Sequence, residues 1–125
     1  MTLPLEGKTI LVVEDESLVA MLLETILEDM GCATLGPIST IDEALQVIAD
    51  GQAFDGALLD VNVAGKEIFP VAAALKERGV PFVFSTGYGE GGLPSEWRGQ
   101  STIQKPFTED AVQKALIDAL RVKVA

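Results

Sequence analysis

Histidine is absent from this chain, which removes serine–histidine triads, histidine metal clusters and imidazole acid–base catalysis from the chemistries open to it. Carboxylates must carry any reaction. Cysteine occurs once, at Cys32, so neither an internal disulfide nor a cysteine-rich zinc site nor a thiol pair can form. Basic residues are scarce: nine Lys and Arg stand against nineteen Asp and Glu, a net charge of -10. That balance argues against nucleic-acid phosphates and anionic membranes as partners and favours basic protein surfaces. No apolar run is long enough to span a bilayer. The start "MTLPLEGKT" lacks the basic residues and long apolar core of a signal peptide, so a cytoplasmic location is expected.

What is present suits a globular protein: 48% of the 125 residues are hydrophobic, and apolar and polar segments alternate throughout. No repeat or linker interrupts them. A single domain over residues 1–125 is expected, large enough to bury a core without a disulfide or structural metal.

Lys8 to Val13 is apolar and β-branched, and from Glu16 to Met30 the apolar residues Leu18, Leu22 and Ile26 and Val19, Leu23 and Leu27 fall on one helical face before Gly31. Cys32 to Pro37 is a weaker strand, closed by Gly36 and Pro37. Thr40 and Glu43 have capping-box spacing ahead of a stripe of Ile41, Ala44, Leu45 and Ile48, which Gly51 ends. The segment Phe54 to Val63 contains a third apolar run that ends in Asp60, and Phe69 to Arg78 reads as a short helix. Val80 to Ser85 is a fourth strand. The stretch "GYGEGGLPSEW" reads as a mobile loop with at most a short helix before Trp97. Thr102 to Gln104 is a fifth strand, and Thr108 caps a last helix built on Val112, Ala115, Leu116, Ala119 and Leu120. This alternation predicts an α/β fold, an open parallel sheet with helices on both faces.

Ligands bind such sheets at the carboxyl ends of the strands, where this chain places Glu14 and Asp15, Asp60, Ser85 and Thr86, and Lys105. Several carboxylates brought together need either a raised pKa or a shared cation, and hard oxygen ligands suit Mg²⁺. A lysine, a hydroxyl and a divalent cation converging on a carboxylate make a pocket for a phosphoryl group, with Asp60 as nucleophile. Each residue alone has a plainer role. Asp15, Glu16 or Ser17 could cap the helix that follows, Thr86 could be a turn residue, Lys105 a solvated charge, and Tyr88 or Trp97 a loop anchor. Their joint placement is what argues for a site.

The acidic pair in "VVEDE", Asp60 in "LLDVNV", Thr86 in "FSTGY" and Lys105–Pro106 in "QKPF", in that order and each at the end of an expected strand, resemble the receiver domain of bacterial response regulators across nearly the whole chain. The resemblance implies a flavodoxin-like, doubly wound five-stranded sheet of order 2-1-3-4-5. It implies that Asp60 accepts a phosphoryl group from a kinase phosphohistidine. Mg²⁺ would be held by Asp15, Asp60 and the backbone carbonyl of Asn62, with Glu14 acting directly or through water. Lys105 would pair with the phosphoryl oxygens, Thr86 would turn its hydroxyl towards them, and the bond before Pro106 would be cis.

Two features depart from the common pattern. Thr102 stands where receivers usually carry an aromatic switch residue, and "NVAGKEIFP" delays its proline to Pro70. Both, with "PFVFSTGY", resemble a receiver subgroup named for Phe-Ala-Thr-Gly-X-Tyr, with Ser85 in place of alanine. That subgroup works with histidine kinases of the HWE or second HisKA type. With nothing after the helix that ends near Val124, the expectation is a stand-alone regulator signalling by protein contact to an unknown downstream protein, or else a phosphate carrier or sink. The competing class is an enzyme, a phosphatase of the haloacid dehalogenase type, with Asp15 as nucleophile at the end of the first strand. That type carries a second aspartate two residues later, where this chain has Ser17. A receiver-like module without phosphorylation is a third reading, against which stands the retention of every chemical group.

Overall fold

Alternating apolar residues along a strand bury both of its faces only when helices cover the sheet from both sides. In the computed structural model, which describes residues 3–87 and 93–122, this is what happens. Strand β1 (Thr9–Val13) sends Ile10 and Val12 into one hydrophobic cluster and Leu11 and Val13 into another. There follow α1 (Ser17–Asp29), β2 (Ala33–Ile38), α2 (Ile41–Ala49) and β3 (Gly56–Asp60). A short hairpin of β4 (Asn62–Val63) and β5 (Lys66–Glu67) leads into α3 (Phe69–Arg78) and β6 (Phe82–Thr86). A 3-10 turn at Ser95–Trp97, β7 (Thr102–Gln104) and α4 (Glu109–Leu120) complete the described residues.

The five long strands pair in parallel in the order β2-β1-β3-β6-β7. Counted without the hairpin, this is the expected 2-1-3-4-5 sheet. Leu23 and Leu27 of α1 and Val112 and Leu116 of α4 pack on one face. Ile41, Ala44 and Ile48 of α2 and Val71, Ala72 and Leu75 of α3 pack on the other. Strand β3 is buried along its whole length, as a central strand covered on both sides must be. Two helix starts follow their sequence signals: Thr40 Oγ1 accepts from Glu43 N–H at 3.2 Å, and Thr108 Oγ1 from Ala111 N–H at 3.1 Å.

Two expectations need correction. Gly36 and Pro37 do not close the second strand but lie inside β2, joined by a cis peptide bond. Because β2 is an edge strand, proline there costs no central ladder bond, and a bulge in its pairing with β1 absorbs the irregularity. Gly36 has φ 105°, and a Cβ there would come within 2.7 Å of Ile38 N and 2.9 Å of Val12 O, so the position requires glycine. The third strand ends at Asp60, as expected, and beyond it the hairpin turns at Ala64 (φ 51°) and Gly65 (φ 79°). Two positive φ values are what a two-residue hairpin turn of the right hand demands. Finally, Glu16 occupies the N-cap position of α1 but forms no side-chain cap bond, so the capping role suggested for it is not realised.

The short helix expected before Trp97 is present as the 3-10 turn that includes it. Tyr88 and the rest of the glycine-rich run through residue 92 lie outside the described residues. Among the described residues, no helix is long and apolar enough to cross a membrane.

Candidate functional site at the carboxyl ends of the strands

Parallel strands deliver their C-terminal residues to one edge, so residues far apart in sequence meet there without any long-range design beyond the register. Glu14 extends β1, its N–H bonded to Ile38 O at 2.9 Å, and its side chain is buried. Asp60 ends β3 and pairs in register with Ser85 of β6. Lys105 follows β7 and is tied to the next strand by its N–H, 2.9 Å from Thr86 O.

The ammonium of Lys105 lies 3.2 Å from Asp60 Oδ2 and 3.2 Å from Glu14 Oε1. Only the Asp60 contact meets hydrogen-bond geometry, so Glu14 Oε1 is a buried acceptor near a cation but without a hydrogen-bond partner among the described residues. The other carboxylate oxygens are fixed by backbone donors. Asp60 Oδ1 accepts from Asn62 N–H at 3.3 Å and Glu14 Oε2 from Glu16 N–H at 3.2 Å. Asp15 Oδ2 accepts from Ala64 N–H at 3.0 Å, which ties the hairpin tip to the end of β1.

Glu14, Asp15 and Asp60 each offer an oxygen, all within 4.8 Å of one another. Burial, then hydrogen bonding with Asp60, lifts the Glu14 carboxyl from 4.5 to about 7. Burial pulls the Lys105 ammonium down, but Asp60 and Glu14 outweigh it and hold it above its ordinary value. One ammonium does not balance three carboxylates. The hard oxygen set and the orphaned Glu14 Oε1 fit a divalent cation, which would let all three ionise together.

Beside this cluster is a cavity of about 230 Å³ lined by Glu16, Asp60, Asn62, Thr86, Gly87 and Lys105, among others. A larger one, about 380 Å³, lies at the opposite end of the sheet, lined among others by Lys76, Phe82, Leu120 and Arg121, and is remote from the carboxylates. The structure thus brings together Glu14, Asp15, Asp60 and Lys105 and puts Thr86 and Asn62 on the wall of the adjoining cavity. Asp15, the nucleophile of the competing phosphatase reading, is exposed and occupied with Ala64, whereas Asp60 is the carboxylate paired with Lys105. The Lys105–Pro106 bond is cis, as expected.

Three contributors were not legible as site residues. The Ala64 N–H is a backbone donor, for which only the Ala-Gly turn was a signal. Glu16 and Gly87 line the cavity, and in the sequence Glu16 is one of three possible caps for the helix that follows. Thr102 is half-buried, with Oγ1 donating to Gln100 O at 3.4 Å, and leaves no aromatic ring on β7. The ring density lies elsewhere: Trp97 stacks on Phe69 (6.1 Å between centroids) and meets Phe82 and Phe84 edge-on, each at 6.0 Å.

Fold and site together define a doubly wound α/β domain with an acidic, lysine-bearing centre at its strand ends. The response regulator receiver domain model matches residues 10–117, and the chain belongs to that family. It is 32% identical over 114 residues to the phyllosphere-induced regulator PhyR of Methylorubrum extorquens, covering 89% of this chain and 43% of that protein. The chain therefore spans less than half the length of that curated relative. Among solved structures, SdrG from Sphingomonas melonis Fr1 is 45% identical with a TM-score of 0.81, covering 92% of this chain and 97% of that one. A BeF3-activated conformation of SdrG from Pseudomonas melonis Fr1 is 46% identical, TM-score 0.77, covering 90% and 95%. The anti-anti-sigma factor PhyR from Bartonella quintana is 27% identical, TM-score 0.78, covering 91% and 48%.

Proposed function

We propose that this receiver domain is a phosphoryl acceptor in a two-component relay, with Asp60 as the residue modified. What carries the reading is the pairing of Asp60 with Lys105 on the wall of the cavity, a nucleophile beside the cation that would neutralise an incoming phosphoryl group. An Asp60 carboxylate oxygen supplies the electron pair of the new O–P bond. The P–N bond of a kinase phosphohistidine breaks with its pair to the imidazole, leaving an acyl phosphate. Lys105 then turns from the carboxylate to the phosphoryl oxygens, and Thr86 offers its hydroxyl to them.

Glu14, Asp15, Asp60 and the Asn62 carbonyl would hold Mg²⁺, which when bound offsets charge on the transferred group. The donor is proposed to be a histidine kinase, of the HWE or second HisKA type by resemblance. Support for a protein donor comes from α1: Leu18, Met21 and Leu22 are exposed, and a groove of Val19, Leu22, Pro106 and Phe107 adjoins Lys105. An apolar patch at the mouth of a phosphoryl site suits the helix that bears the phosphohistidine. Output is proposed to be phosphorylation-dependent contact with another protein, in keeping with the anti-anti-sigma role named for the Bartonella relative.

Intact mass measurement after incubation with acetyl phosphate and Mg²⁺ tests the proposal. One added phosphoryl group on the wild type, absent from Asp60→Asn, is the expected result. An unlabelled wild type, or equal labelling of the variant, overturns it.

A further inference from the structure

The cavity beside Asp60 has a second acidic wall that the phosphoryl-acceptor reading leaves unused. Glu16 lines it without an ion pair of its own: Lys105, which lines the same cavity, is paired with Glu14 and Asp60, and Glu16 forms no ion pair among the described residues. Its backbone is held on both sides, the N–H by Glu14 Oε2 at 3.2 Å and the carbonyl by Ala20 N–H at 2.9 Å. The root of the side chain is therefore fixed at the rim. It is solvent-exposed and forms no side-chain cap bond; its charge suits the N-terminus of α1, but that does not tie the carboxylate away from the cavity.

We infer that Glu16 is a specificity-determining residue that selects among phosphoryl donors by charge, favouring nitrogen-linked phosphoryl groups over free acyl phosphates. The inference rests on the phosphoryl-acceptor reading of Asp60. A free acyl phosphate is a dianion at neutral pH, and a fixed negative charge at the rim opposes its approach. A phosphoramidate carries a protonated nitrogen on the phosphorus, has one net negative charge fewer, and presents a cationic group that a carboxylate attracts. In both transfers an Asp60 oxygen forms the new O–P bond. With acetyl phosphate the P–O bond breaks and its electron pair leaves with acetate. With phosphoramidate the P–N bond breaks and its pair stays on the already protonated nitrogen, which departs as ammonia.

The test compares initial labelling rates of wild type and Glu16→Gln with acetyl phosphate and with phosphoramidate, at saturating Mg²⁺, by intact mass. Calorimetric Mg²⁺ titration of both proteins sets the saturating concentration and separates donor choice from metal affinity. Glu16→Gln is expected to lower the phosphoramidate-to-acetyl-phosphate rate ratio about fivefold at low salt, and the effect should shrink towards unity near 1 M salt, where the screening length falls to about 3 Å. Glu28→Gln, at the far end of α1, should leave the ratio unchanged. A ratio that moves less than twofold in Glu16→Gln, or moves the other way, overturns the inference while leaving Asp60 as acceptor. Failure of the wild type to label with either donor overturns the acceptor reading itself.

Discussion

Lys105 places one ammonium 3.2 Å from Asp60 Oδ2 and 3.2 Å from Glu14 Oε1, joining the end of β3 and the end of β1 to the residue after β7. Removing it leaves two buried carboxylates facing each other without a cation. Lys105→Met is expected to destabilise the metal-free protein by about 1–2 kcal/mol at alkaline pH, a discounted figure because the side chain is 22% exposed. Mg²⁺ binding should tighten, since a competing cation is gone. Urea unfolding with and without Mg²⁺ measures both effects, and a variant as stable as wild type with unchanged Mg²⁺ affinity would contradict them.

Glu14 gives the site a definite pH response. Its carboxyl is raised from 4.5 to about 7, mainly by burial, so in the folded state the protonated form is favoured over the unfolded reference. The stability this contributes is full below the unfolded value and is lost as pH rises through the folded one. The metal-free protein should therefore lose up to about 3 kcal/mol from this group across that window, seen as the difference between wild type and Glu14→Gln in unfolding experiments. Mg²⁺ needs the ionised carboxylate, so its affinity should rise with pH through about 7. Titration calorimetry near pH ~6 in buffers of different ionisation heat should register proton release, and at about pH 8.5 very little.

Asp15 combines two tasks that substitution can separate. Its Oδ2 accepts the Ala64 N–H at 3.0 Å, and its carboxylate belongs to the acidic triad. Asp15→Asn keeps an oxygen acceptor for Ala64 but loses the charge, whereas Asp15→Ala loses both. Both variants should bind Mg²⁺ about tenfold or more weakly. Only Asp15→Ala should speed amide exchange at Ala64, because a hydrogen bond worth about 1 kcal/mol corresponds to roughly a fivefold change in local opening. Equal exchange rates in the two variants would show that the hairpin does not depend on this tether.

The sheet and its acidic edge were readable because they rest on strong local signals. Apolar runs that end in Asp or Glu are unambiguous, and parallel topology then delivers those ends to one place. The order of strands came from resemblance, since periodicity alone does not rank neighbours. Weak signals failed for physical reasons. Strands β4 and β5 are two residues each, too short to show any period, and only the Ala64–Gly65 turn marks them. Gly36–Pro37 looked like a terminator because those residues usually are one, yet an edge strand tolerates them. Sequence leaves the role of Glu16 open, because a capping residue and a cavity-lining one occupy the same place before α1. Only the contacts separate them.

Trp97 is the sole tryptophan and is buried, with its Nε1 unpartnered among the described residues. Lys76 sits over its ring at 5.7 Å, and Phe69, Phe82 and Phe84 surround it. Trp97→Phe removes an unsatisfied donor while giving up some ring area, so the two effects should nearly cancel, within about 1 kcal/mol. Trp97→Ala leaves a cavity in the aromatic cluster and should cost about 3–5 kcal/mol. Because Phe84 directly precedes Ser85 and Thr86, a rearrangement of the β6 end on phosphorylation should reach the indole through the Phe84 contact. Addition of acetyl phosphate and Mg²⁺ is expected to shift Trp97 fluorescence in wild type but not in Asp60→Asn. A shift that persists in Asp60→Asn would instead trace the signal to the metal.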